Sequence, residues 1–265
     1  MSTAKINGVD LYYEIHGNGE PLLLVSGLAS DSQSWQPILD ELSQHYRVIT
    51  FDNRGVGRTK PQDIETSIPL MADDSMALIQ HLGLSKVHLL GHSMGGFIAL
   101  DCAIRYPEYV SKLMLASTSA FNTERNKALF NDWVSYLENG MKKEFWFRNF
   151  FYWIFSKRFF ENRDALNDAV RLSIEYPYQQ TASAFRNQVQ AINMYNCLEE
   201  LSGIRAKTMV ICGMEDLLFS PEEISGIFPA IPVVKFSFID HAAHAIFMER
   251  PGEFVKTVAF FLSNG

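Results

Sequence analysis

Val87-His88-Leu89-Leu90-Gly91-His92-Ser93-Met94-Gly95-Gly96-Phe97-Ile98-Ala99-Leu100 is the stretch on which the fold turns. An apolar run ends at Leu90 and a helix-like run begins at Gly96, so Ser93 is expected on a sharp turn from strand to helix. Such a turn crowds the backbone around the serine. Gly91, Gly95 and Gly96 remove the Cβ atoms that would collide there. The hydroxyl is pushed outward as a nucleophile, beside a helix N-terminus that favours negative charge.

The same strand-then-helix rhythm runs through most of the chain. Lys5 to Val9 and Leu11 to His16 read as a short hairpin around Gly8-Val9-Asp10, and Pro21 to Val25 reads as a buried strand. Trp35 to Gln44 looks helical, Arg47 to Phe51 is a strand, and Leu70 to Leu82 is a helix ended by Gly83. After Ser93 a helix runs to about Arg105, followed by a strand at Lys112 to Ala116. The pattern resumes with strands at Thr208 to Cys212 and Val233 to Phe238 and a closing helix at Gly252 to Leu262. Continuous apolar strands alternating with helices predict an α/β protein: a mainly parallel central sheet with helices on both faces. Sites in such sheets lie at the carboxyl ends of the strands.

Between these halves the segment from Phe121 to Leu201 is helical in pattern, rich in aromatics, and without a convincing strand. The expected organisation is therefore one core, 1–120 with 202–265, carrying an inserted helical cap over 121–201. The run Phe145-Trp146-Phe147-Arg148-Asn149-Phe150-Phe151-Tyr152-Trp153-Ile154-Phe155, followed by Phe159-Phe160, admits two main readings. It is either an apolar ceiling over an acyl pocket or a helix packed on its neighbours. Contact with a membrane surface is a third, because Lys157 and Arg158 flank the run.

The chain of 265 residues, 47% hydrophobic, is long enough to bury a sizeable core. A net charge of −7 argues against general nucleic-acid binding. Met1 to Gly8 has no apolar leader, and no run approaches the roughly 18 apolar residues of a membrane span, so a cytoplasmic protein is expected. Cys102, Cys197 and Cys212 are scattered in apolar surroundings and read as buried reduced thiols. A serine hydroxyl is a poor nucleophile at neutral pH and needs a base, with an acid to orient that base. Seven histidines are available.

Four motifs together resemble the α/β-hydrolase superfamily in its small capped serine-esterase branch. They are Ser26-Gly27-Leu28; Asp52-Asn53-Arg54-Gly55-Val56-Gly57-Arg58-Thr59; Gly91-His92-Ser93-Met94-Gly95-Gly96; and Gly213-Met214-Glu215-Asp216 with His244-Ala245-Ile246-Phe247-Met248-Glu249-Arg250-Pro251. In that superfamily the triad runs serine, acid, histidine, each on a loop at a strand's carboxyl end. The resemblance implies Ser93 as nucleophile, Asp216 rather than Glu215 as acid, and His244 rather than His241 as base, because His244 carries the Glu249 and Pro251 spacing. Some relatives place the acid one strand earlier, but Ser117-Thr118-Ser119-Ala120 offers no carboxylate there. The backbone N–H groups of Leu28 and Met94 are the implied oxyanion donors. Ser26 stands where the family has a histidine, which puts the support of that loop in question. His92 reads as a packed structural residue, and Asp52 with Arg54 as a pair that staples its loop.

The implied activity is cleavage of carboxylic esters or thioesters of small, largely apolar acyl substrates, with no cofactor and no metal. Lys142, Lys143, Arg148, Lys157 and Arg158 make the first half of the insertion basic, as docking of an acidic acyl-carrier protein would need. A pimeloyl-carrier-protein methyl ester esterase is one such relative, resembled in Ala242-Ala243-His244-Ala245. The alternatives are a carbon–carbon bond hydrolase, for which Ala245 replaces the usual aromatic, a cofactor-free perhydrolase, or a receptor that binds a small molecule without turnover. Dehalogenases and epoxide hydrolases use aspartate at the elbow, and Ser93 argues against both.

Overall fold

A computed structural model describes residues 2–264. The amino-terminal hairpin is β1 (Ser2–Ile6) and β2 (Val9–His16), followed by β3 (Glu20–Val25), α1 (Gln36–Ser43) and β4 (Tyr46–Phe51). Then come α2 (Ile68–His81), β5 (Val87–His92), α3 (Met94–Arg105) and β6 (Val110–Ala116). The hairpin turn is Asn7-Gly8, earlier than expected. Both residues have positive φ, 43° and 84°, the combination that tight hairpins draw from Asn-Gly.

Between β6 and the next strand lie only helices: α4 (Glu124–Glu138), α5 (Lys143–Ile154), α6 (Lys157–Glu161), α7 (Arg163–Glu175) and α8 (Ala182–Met194). The chain then returns to the sheet with β7 (Lys207–Gly213), α9 (Pro221–Ile227), β8 (Val234–Ile239), α10 (Ile246–Glu249) and α11 (Pro251–Asn264). The two ends of the inserted segment meet where Phe121 bridges Asn196 and the Cys197 N–H donates to the Ala120 carbonyl at 3.0 Å.

The eight strands form one sheet in the order β1-β2-β4-β3-β5-β6-β7-β8. β1 and β2 pair antiparallel and β2 meets β4 antiparallel, whereas β4-β3-β5-β6-β7-β8 are all parallel. Strand period then sorts side chains between two cores. Leu23, Val25, Leu89, Leu113 and Leu115 face the α2 and α3 side, while Leu22, Leu24, Leu90, Met114 and Ala116 face α1 and α11. The inserted segment has no separate core. Phe130, Trp133, Trp146, Phe185 and Val189 join the α2 and α3 cluster. No helix among the described residues is long and apolar enough to cross a membrane.

Candidate active site

Ser93 is the single residue between β5 and α3, and its backbone is strained at φ 54°, ψ −120°. The surroundings leave no slack. A Cβ on Gly91 would lie 2.1 Å from the Gly95 carbonyl oxygen, one on Gly95 2.0 Å from the Val25 carbonyl oxygen, and one on Gly96 2.4 Å from Thr118. Three hydrogen bonds hold the turn: Ser93 N–H to the Ala116 carbonyl at 2.9 Å, Gly96 N–H to the Ser93 carbonyl at 2.8 Å, and Thr118 Oγ1 to that same carbonyl at 2.8 Å. Ser93 is 8% exposed, and its Oγ has no hydrogen-bond partner among the described residues.

Asp216 follows β7 and His244 follows β8. Close approach of their loops brings them together: a Cβ on Gly213 would lie 2.3 Å from the Ala243 carbonyl oxygen, and Glu215 N–H donates to the Ala242 carbonyl at 2.9 Å. His244 Nδ1 sits 3.0 Å from Asp216 Oδ2, with both side chains buried. Asp216 Oδ1 accepts the Leu218 N–H at 2.8 Å and the Phe219 N–H at 3.1 Å. With both oxygens taken by donors the carboxylate is satisfied in its ionised form. Nδ1 of His244 is then the protonated nitrogen, and Nε2 keeps its lone pair. His241 lies elsewhere. Its side chain is 64% exposed, with Nδ1 4.0 Å from Glu215.

His92 is buried against Trp35, Phe247 and the His244 ring, whose centroid is 4.9 Å away. Its Nε2 lies 2.9 Å from the His244 carbonyl oxygen, so Nε2–H donates and the residue before the serine holds the backbone of His244. Burial, with His244 alongside, pushes its pKa down to about 3, so the ring is neutral across the working range.

The turn after β3 packs on the serine: a Cβ on Gly27 would lie 3.1 Å from Ser93 Cβ. Ser30 N–H closes this turn on the Gly27 carbonyl at 3.3 Å, with Ala29 at φ 58°. Among the described residues neither the Leu28 nor the Met94 N–H has a partner. Ser26 keeps a supporting role where a histidine is usual. Its Oγ donates to the Asp31 carbonyl at 3.1 Å, and Asn53 Nδ2 donates to its carbonyl at 2.9 Å.

Asp52 and Arg54 do staple loops, but not to each other. Asp52 accepts from Ser32 N–H (2.9 Å), Ser32 Oγ (2.6 Å) and Arg58 Nε (3.0 Å), whereas Arg54 forks onto Asp74 of α2 at 2.7 and 2.9 Å. The three cysteines are buried and free, and burial raises each thiol pKa, that of Cys197 to about 12, so none supplies a thiolate nucleophile at neutral pH.

A cavity of about 560 Å³ lies under the inserted helices and touches Ala29 of the turn after β3 and Met248 of α10, with Ser93, Asp216 and His244 outside its lining. Trp146, Phe147, Phe150, Phe151 and Phe155 line it. The run both lines this cavity and packs into the core, because Trp146 also stacks on Phe150 within the core cluster. Lys142, Lys143, Lys157 and Arg158 are exposed, with Lys143 Nζ donating to Gln179 Oε1, while Arg148 is engaged by Glu144 and Asn167. Two contacts were invisible in the pattern, although the spacing of Glu249 itself was not. Thr118 braces the elbow, and Glu249 clamps Ala243 N–H at 2.8 Å and Ser156 Oγ at 2.6 Å, tying the His244 loop to the insertion.

Comparison with known proteins agrees with this fold. The chain is 27% identical over 257 residues to a protein of Rhizobium rhizogenes named as a candidate carbamate hydrolase, RutD, covering 95% of this chain and 97% of that one. A thermophilic esterase from Thermogutta terrifontis superposes with a TM-score of 0.86 at 25% identity, over 99% of this chain and 96% of that one. The enol-lactonase of Burkholderia xenovorans LB400 shares the fold, with a TM-score of 0.89 at 23% identity, covering 99% and 100%. The model of the alpha/beta hydrolase fold family matches residues 20–251, and the chain belongs to that family.

Proposed function

We propose that the protein is a serine esterase that cleaves carboxylic esters of small, largely apolar acyl groups through Ser93, His244 and Asp216. The observation that carries this reading is the Asp216–His244 hydrogen bond of 3.0 Å, which leaves the far imidazole nitrogen free, on a ring 4.9 Å from that of His92, the residue before the serine of a strained elbow. In the first step Ser93 Oγ forms a bond to the ester carbonyl carbon as its proton passes to His244 Nε2. The carbonyl electron pair moves onto oxygen, where the unpartnered N–H groups of Leu28 and Met94 supply the compensating dipoles. Collapse of the tetrahedral intermediate breaks the bond to the leaving alcohol, which takes the proton from His244. Water, deprotonated by the same imidazole, then releases the acid from the acyl-serine and returns the proton to Ser93. Asp216 holds the tautomer throughout.

We assign the helices of 121–201 as a cap whose aromatic underside receives the acyl chain, because an apolar cavity favours such a chain over a sugar or peptide. Exposed Lys142, Lys143, Lys157 and Arg158 extend the proposal to an acyl chain borne by an acidic carrier protein. A series of p-nitrophenyl esters of increasing acyl length tests the reading. Multiple turnovers with a single optimum of kcat/KM are expected. Binding with a single turnover at most would instead make the protein a receptor.

A further inference from the structure

Gln188 is fully buried in the middle of the apolar face of α8, between Ala184, Phe185, Ala191 and Ile192. A primary amide there is costly unless its hydrogen bonds are met, and a leucine or methionine would fill the same space. Its bonds are met by the core's loops. Nε2 donates to the Arg54 carbonyl at 3.0 Å, while Oε1 accepts Gln180 Nε2 at 2.9 Å and Ala29 N–H at 3.4 Å. These partners fix the orientation of the amide, since Nε2 faces a carbonyl and Oε1 faces two donors.

Ala29 is the third residue of the turn Gly27-Leu28-Ala29-Ser30, closed by Ser30 N–H on the Gly27 carbonyl. A turn of this kind leaves the N–H groups of its two central residues without partners inside the turn. Gln188 takes that of Ala29, which sits at φ 58°, and leaves that of Leu28 open beside Ser93. From this division we infer that Gln188, on the inserted segment, is a positioning residue for the oxyanion site: it holds the turn so that the Leu28 N–H is aimed where negative charge develops. The inference rests on the esterase reading. It makes the insertion a working part of the site as well as its roof.

The test uses the full-length protein with Gln188→Met, a near match in volume without the amide. The probes are a p-nitrophenyl ester and a trifluoromethyl ketone. Ser93 Oγ adds to the ketone carbon, its proton passes to His244, and the ketone oxygen becomes an oxyanion in the same site. Gln188→Met is expected to lower kcat by about 10- to 100-fold, below the full loss of one donor, with KM changed less than about threefold. The inhibition constant of the ketone should rise by the same factor as kcat falls. Asn187→Ala, which removes the neighbouring anchor from α8 to the Ile64 carbonyl, should leave kcat within about twofold. An unchanged kcat in Gln188→Met, a rise in KM alone, or an equal kcat loss in Asn187→Ala would overturn the inference.

If Gln188→Met does not fold, Gln188→Glu, measured at a pH low enough to keep the buried acid neutral so that its O–H donates to the Arg54 carbonyl, keeps an acceptor for the Ala29 N–H in the same volume. It should retain kcat within about fivefold together with ketone affinity, and a loss of ketone affinity with a folded protein overturns the inference. Failure of the esterase reading looks different. In that case wild-type protein itself neither turns over the ester nor binds the ketone.

Discussion

Two residues adjacent in sequence divide the work at the elbow: Ser93 presents the hydroxyl, and His92 donates Nε2–H to the His244 carbonyl at 2.9 Å. Neutral burial of His92 carries a pH signature with a definite sign. Its folded pKa, about 3, lies below the ordinary histidine value of 6.5, so the unfolded chain binds the extra proton between those values. Its stabilising contribution is therefore complete above about pH 6.5 and is lost as pH falls toward 3. At 1.36 kcal/mol per unit, the loss reaches about 3 kcal/mol by pH 4. Urea denaturation of wild type and His92→Gln at pH 7 and pH 4 checks this. The stability gap between them should shrink by about that amount on acidification, and a constant gap would place the acid sensitivity elsewhere. Asp216→Asn, which alters the tautomer of His244 without moving the loop, should lower kcat by about 10⁴-fold with little change in melting temperature, as esterase kinetics and calorimetry would show.

At the scale of elements, the chain order of strands and helices was legible because parallel strands buried on both faces must be apolar throughout and must alternate with crossover helices. The elbow was legible for a steric reason: with a Cβ on Gly95 only 2.0 Å from the Val25 carbonyl oxygen, the pattern of glycines is itself a readout of geometry. Side-chain partnerships were not legible. Arg54 and Asp52 lie two apart, yet Arg54 pairs with Asp74 on α2 and also donates to the Asn7 carbonyl at 3.1 Å, joining the hairpin turn, the β4 loop and α2. Those partners depend on how three segments meet, which no local pattern records. Gln188 was hidden likewise, as one amide on a helix face that reads as apolar. The buried Arg54–Asp74 pair supports a prediction about stability: Arg54→Met strands a buried carboxylate and should cost about 3–5 kcal/mol in urea denaturation. On α5, Phe147→Ala enlarges the cavity wall and should move the acyl-length optimum of the ester series upward by about two carbons, each methylene contributing about 0.8 kcal/mol.

Over the whole molecule, the inserted helices share a core with the helices on one face of the sheet and are hydrogen-bonded to its loops and helices at many points. Glu249 reaches Ser156, the Ala245 N–H reaches the Ile154 carbonyl at 2.9 Å, and Gln188 reaches Ala29. The insertion should therefore unfold with the sheet and not before it. Trp133, Trp146 and Trp153 belong to the insertion and Trp35 alone to the sheet domain, so tryptophan fluorescence follows mainly the former and far-ultraviolet circular dichroism the whole chain. Coincident midpoints by the two probes are expected, whereas an earlier fluorescence transition would mean an independent lid. The proposed chemistry depends on one hydroxyl, that of Ser93, and its most direct test is covalent. Wild-type protein and Ser93→Ala are incubated with a fluorophosphonate, digested, and mapped by mass spectrometry. Stoichiometric phosphonylation of the wild type at Ser93 and none of the variant are expected; an adduct on another residue, or equal labelling of Ser93→Ala, would contradict the assignment of Ser93 as nucleophile.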